Sequence, residues 1–168
     1  MKIILAVIFS TAASPLFAQQ NKILKLLNRE LKKEVKHLRQ NETYTWGDTR
    51  DSLIVVQPFF ISKDNILSVE VTKKTNYGLQ TTRQEVPLNK IETILEDINV
   101  LFVTAGKDVK VTTKTLYNDG SSPQTETYNY HLFFLNLWSG LQSESWRDAV
   151  AEAFSKAGLN IKNEIWED

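Results

Sequence analysis

The sequence predicts an α+β fold: one N-terminal amphipathic helix, an antiparallel meander of about six strands forming a curved sheet or small barrel, and one C-terminal helix. Three observations predict it. Apolar residues recur with a period near 3.6 over residues 20–40. After Asn41 the period falls to 2, and turn-forming clusters punctuate the chain. From about Ser143 the helical period returns, and Gly158 stands where a helix would stop.

Residues 1–18, MKIILAVIFSTAASPLFA, read as a cleaved signal peptide. Lys2 supplies the positive start, Ile3 to Phe9 is an unbroken apolar run, and Ala18 is the small residue before the cut. The mature chain then begins at Gln19. A spanning helix needs about 20 predominantly apolar residues. Here Ser10, Thr11, Ser14 and Pro15 interrupt the run, so no transmembrane span is expected after cleavage. The chain has no cysteine. That excludes lipid attachment through cysteine, disulfides, a thiolate nucleophile and a cysteine metal site. The expected location is periplasmic or secreted, in a bacterial envelope rather than a disulfide-forming secretory pathway. Stability must come from packing alone.

Residues 19–41 are expected to form a basic amphipathic helix. Leu24, Leu27, Leu31, Val35 and Leu38 follow one helical face, and Lys22, Lys25, Arg29, Lys32, Lys36 and Arg39 follow the opposite one. Over residues 19–40, seven Lys/Arg stand against two Glu, whereas the rest of the mature chain is acidic. The plain expectation is a surface helix with its leucines on the body. The sharper one is a basic face, Lys25, Arg29, Lys32 and Lys36, in weak contact with an anionic membrane.

Residues 42–168 are expected to form a single α+β domain. Ser52 to Ile61 is apolar on both faces, as in a strand covered on both sides, and Pro58 makes it bend or lie at an edge. Lys63-Asp64-Asn65 is a turn. Ile66 to Lys73 alternates, with Leu67, Val69 and Val71 inward. Asn76-Tyr77-Gly78 is the next turn, and Gln80 to Val86, polar on both faces, reads as an exposed strand. Ile91, Ile94, Leu95 and Ile98 have helical spacing, so Val86 to Asp97 is expected to be a helical turn across one end of a sheet. Asn99 to Thr104 reads as a buried strand. Val109 to Tyr117 alternates again, Asp119-Gly120 centres a hairpin turn, and one long strand runs on to about Leu135. Helix signals begin at Ser143 or Ser145. The apolar face is Trp146, Ala149, Val150, Ala153, Phe154 and Ala157. The tail from Leu159 is a last short strand or a docked extension.

Over residues 50–158 this element order looks like that of pleckstrin-homology-type barrels, a run of hairpins followed by a Trp-bearing helix that plugs an open end. The likeness is one of element order, and no activity follows from it.

Chemistry-bearing residues are sparse. Of the two histidines, His37 borders the apolar and basic helix faces and His131 sits mid-strand beside aromatics, with no metal-ligand spacing. No metal or cofactor is expected. Glu42, Asp48 and Asp51 form one acidic cluster and Glu96-Asp97 a second, the raw material of a carboxylate-dependent, glycan-directed hydrolase. Phosphate-loop, nucleophile-elbow and dinucleotide fingerprints are absent. Nothing favours nucleic acid.

Aromatic residues are the better lead. Tyr44 and Trp46 fall in a polar connection, Tyr77 in a turn, and Trp138 after the last long strand. Tyr128 and Tyr130 share a strand face. Such side chains stack on sugars or anchor partners. The expected function is therefore a non-enzymatic binding domain whose partner is an envelope protein, glycan or small ligand. Tyr44, Trp46, Tyr128 and Tyr130 are its candidate site.

Overall fold

The computed structural model describes residues 15–40, 53–138 and 143–165. Helix α1 spans Pro15–Gln40. Strands β1 (Ile54–Ile61), β2 (Ile66–Thr75) and β3 (Gly78–Pro87) follow, then a 3-10 turn at Leu88–Lys90. Next come β4 (Ile91–Glu96), β5 (Asn99–Thr104), β6 (Val109–Tyr117), β7 (Gln124–Tyr130) and β8 (Leu132–Trp138). Helix α2 (Glu144–Lys156) and strand β9 (Lys162–Ile165) complete the order.

The architecture is α+β, and no barrel closes among the described residues. A five-stranded antiparallel sheet has the order β1-β2-β3-β6-β7, and a four-stranded mixed sheet has the order β8-β5-β4-β9. The barrel expectation fails for a topological reason. Strand β6 pairs back onto β3, which expels the β4–β5 hairpin into a second sheet. The last strand, β9, then runs parallel to β4. The chain changes sheets three times, at the 3-10 turn, between β5 and β6, and at His131.

Several local expectations are corrected by the same geometry. Of the segment expected as a helical turn, Val86 to Asp97, Leu88–Lys90 is a 3-10 turn and Ile91–Glu96 is β4. Its register shifts between Ile91 and Thr93, so Ile91 and Ile94 are both buried. A bulge inserts one residue into the period-2 pattern and so imitates helical spacing. The expected long strand is two strands in different sheets, and His131 lies exposed at the bend between them. Strand β3 is not peripheral but central, paired on both sides. Strand β1 is covered on one face only; Ile54, Val56 and Phe60 are exposed. It is an edge strand with register shifts around Pro58, as the proline anticipated.

Turn chemistry follows the sequence closely. Asn65 takes φ 61°, and the Ser62 hydroxyl accepts from the amides of Asp64 and Ile66. Gly120 takes φ 80° in the β6–β7 hairpin. There the Asp119 carboxyl is held below its ordinary range, first by its hydrogen bonds from Ser121. Helix α2 starts after Ser143 without a side-chain cap. It ends as Gly158 and Leu159 bond back to Ser155 and Phe154, with Gly158 at φ 79°.

The core lies where one end of the large sheet meets the small sheet and the helices. Leu67, Val69, Val71, Val86, Val109 and Val111 face it from the large sheet. Ile23, Leu27 and Leu31 enter from α1, and Val150, Ala153 and Phe154 from α2. Leu24, Val35 and Leu38 are only partly buried, so the buried stripe of α1 is turned towards Ile23 and carries Glu30 and Glu34. Phe59, Phe133, Phe102 and Phe154 form a chain of tilted rings with centroid spacings of 6.4, 6.3 and 5.4 Å.

Two side-chain amides stand in for missing backbone partners. Asn28 of α1 donates to Phe59 O and accepts from Phe59 N–H, both at 2.9 Å. Gln84 of β3 does the same to Phe134 of β8, at 3.0 and 2.9 Å. Each amide presents one donor and one acceptor in the geometry of a peptide group. The first locks α1 to β1 at its irregularity, and the second joins the two sheets. Asn28→Ala leaves the Phe59 amide and carbonyl without these partners. It is expected to cost about 2 kcal/mol, read as a lower urea midpoint with an unchanged slope.

Candidate functional site

The large sheet is longer than the core that covers it. Cross-strand rows on its inner face can be followed from one end to the other through the register. The row Val69–Gln84–Val111–Tyr128 lies against the core at β2, β3 and β6. The next row is Val71–Thr82–Thr113–Glu126. Beyond it come Lys73–Gln80–Thr115–Gln124 and then Thr75–Gly78–Tyr117. The last two rows lie past the core, and no described element covers them.

This overhang is concave. A groove of about 340 Å³ opens on it, lined by Thr75, Tyr77, Gln80, Thr113, Thr115, Tyr117, Gln124 and Glu126. Sheet twist supplies the curvature, and Gly78 holds β3 close against β6 at the end of the sheet. At φ 149°, Gly78 brings β3 so close to β6 that a Cβ there would lie 1.9 Å from the Leu116 carbonyl oxygen. Only glycine fits there.

The lining is organised by short local bonds. Tyr117 Oη donates to Gln124 Oε1 at 2.7 Å, which fixes the ring and orients the amide. The Thr75 hydroxyl donates to Gly78 O and accepts from Tyr77 N–H, pinning the β2–β3 turn at the rim. The hydroxyls of Thr82 and Thr113 are paired across β3 and β6. Tyr77 is 73% exposed at the mouth, so its ring is available to a ligand. Glu126 is the single carboxylate among these lining residues.

Of the sequence-expected site, Tyr128 and Tyr130 stand on the inner face of β7, in line with Glu126 and Gln124, and both are exposed. The His131 ring lies 4.5 Å from that of Tyr130. Tyr44 and Trp46 lie outside the described residues, as do Glu42, Asp48 and Asp51 and the side chain of Trp138. Trp146 is buried, as the helix pattern required, and its indole N–H has no acceptor among the described residues. Glu96 is not a free acid: Arg147 of α2, itself 2% exposed, forms an ion pair with it. Arg147 Nε also donates to Asn163 Oδ1 at 3.2 Å, tying β4, α2 and β9 together. Lys25, Arg29, Lys32 and Lys36 are exposed along α1.

Sequence reasoning missed Gln80, Thr113, Thr115, Tyr117 and Gln124. In sequence their polar alternation along β3, β6 and β7 reads as that of ordinary solvent-facing strands. Among the described residues no three His, Asp or Glu side chains come close enough to share a metal ion. No described helix is long and apolar enough to cross a membrane. No family model matches the sequence, and neither a curated protein nor a solved structure matches it.

Proposed function

We propose that the protein is an exported, non-enzymatic binding domain of the bacterial envelope, and that its ligand is a neutral, hydroxyl-rich molecule such as a glycan seated on the overhang of the large sheet. The observation that carries this reading is the uncovered groove with its threonine hydroxyls, glutamine amides and two tyrosine rings. Amides and hydroxyls exchange hydrogen bonds with sugar hydroxyls, and aromatic faces pack on sugar rings. With Glu126 as the charged lining residue, phosphorylated ligands are disfavoured. The signal-like residues 1–18 support export.

Glycan-array screening of the mature protein, followed by calorimetry, tests the reading. Tyr117→Ala and Gln124→Ala are each expected to weaken binding about tenfold at unchanged melting temperature. Binding that survives both changes, and Tyr128→Ala with Tyr130→Ala as well, overturns the site.

A second reading, peripheral contact of α1 with an anionic membrane, draws on the exposed stripe of Lys25, Arg29, Lys32 and Lys36. Ile23, Leu27 and Leu31 are committed to the core, so α1 would offer a membrane charge and little apolar surface. Such binding would vanish as salt shortens the Debye length. A carboxylate-dependent hydrolase needs a second acid opposite the first, and Glu126 has none among the groove-lining residues.

A further inference from the structure

The two sheets present four edge strands, and three of them are blunted. Strand β1 carries Pro58 and two register shifts, and Asn28 occupies the backbone of Phe59. Strand β8 has Gln84 on the backbone of Phe134. Strand β9 is four residues long and carries Lys162 and Glu164. These are the devices by which proteins keep open edges from pairing.

Strand β7 has no proline, no register shift and no described side chain on its open backbone edge. Its seven residues, Gln124–Tyr130, are all exposed. They pair with β6 in unbroken register from Thr115↔Gln124 to Val109↔Tyr130, so the opposite edge is a straight, regular row of backbone donors and acceptors. The strand contains no proline or glycine and one charge, Glu126, and it is rich in the β-favouring residues Thr and Tyr.

We propose that β7 is a self-association edge, and that its occupant is β7 of a second copy of this chain, antiparallel, about a two-fold axis at Thr127. That register is self-complementary. Thr127 faces Thr127 of the partner subunit, Glu126 faces the partner's Tyr128, Thr125 faces the partner's Asn129, and Gln124 faces the partner's Tyr130. No like charges oppose each other. An axis one residue earlier would set Glu126 against itself, which costs pairing energy. Antiparallel pairing in one sheet preserves faces, so the dimer is a continuous ten-stranded sheet with both grooves on the same side. The partner's Tyr128 and Tyr130 then extend the floor beyond Gln124 and Glu126. The proposal is independent of what the groove binds.

Because the chain lacks cysteine, an introduced thiol is a clean reporter. Sedimentation of the mature protein across the micromolar range is expected to show a monomer–dimer equilibrium. Thr127→Lys is expected to raise the dissociation constant about fivefold. Mixing T127K with T127E is expected to restore association, which excludes misfolding as the cause. Under mild oxidation, T127C forms a covalent dimer and T125C does not. A wild-type chain that stays monomeric throughout overturns the proposal. So does cross-linking of T125C as readily as T127C, or self-association indifferent to both charges at 127.

Discussion

Replacing Glu96 by alanine is expected to lower the unfolding free energy by about 3 kcal/mol, although Glu96 lies in no site. The loss comes from Arg147. Its side chain is 2% exposed, and arginine keeps its charge at any ordinary pH. Without Glu96 that charge keeps, among the described residues, the neutral acceptor of Asn163. The figure sits at the low end of the range for a broken buried pair because Glu96 retains some contact with solvent. The decisive comparison is with the double change Glu96→Leu, Arg147→Met. Removing both charges is expected to recover most of the loss, since an apolar pair of similar volume often equals a buried ion pair. If urea melts show the double variant no more stable than Glu96→Leu, the buried arginine charge is not the origin of the effect.

Phe102→Ala is expected to be the most damaging single truncation, at about 3–5 kcal/mol. Phe102 is fully buried and touches rings on two sides, Phe133 at 6.3 Å and Phe154 at 5.4 Å between centroids. It therefore joins β5, β8 and α2, and its removal opens a cavity at the point where the small sheet meets the helix. Phe102→Leu fills most of that space and is expected to lose clearly less. Thermal or urea unfolding decides, and equal losses for the two variants would mean that volume at this position does not set stability.

The helices and turns were largely legible from sequence because their signals are local. The leucine stripe of α1, the stop at Gly158 and the turns at Asn65 and Gly120 each depend on a few neighbouring residues. What was not legible was which strand pairs with which. Nothing in Val109–Tyr117 says that its partner is β3 rather than β5, and that one choice separates two sheets from a barrel. The bulge at Ile91–Thr93 hid a strand behind helical spacing. The single tract from Thr125 to Leu135 hid a change of sheet, since both halves keep a period of 2 and only the buried set differs.

The site was half legible for a related reason. Tyr128 and Tyr130 stood out as large side chains in a polar strand. Thr113, Thr115 and Gln80 did not, because alternation of polar residues looks like an ordinary solvent-facing strand. Their importance comes from the sheet outrunning its core, a property of length and packing that no short window contains. Gln84 carried no readable sign either, because the buried valines beside it, Val69 and Val111, belong to other strands.

The parallel pairing of β9 with β4 has a consequence for how the chain is made. Residues Thr93–Glu96 find their neighbour at Lys162–Ile165, far along the chain and beyond five intervening elements. The hairpins β1–β2 and β2–β3 can zip up from nearby residues as soon as they emerge. The small sheet cannot be completed until β9 has been synthesised, and until then one side of β4 stays open. A chain halted after α2 would carry a finished large sheet beside an unfinished small one. Completion of the small sheet thus reports that the chain has been delivered through β9.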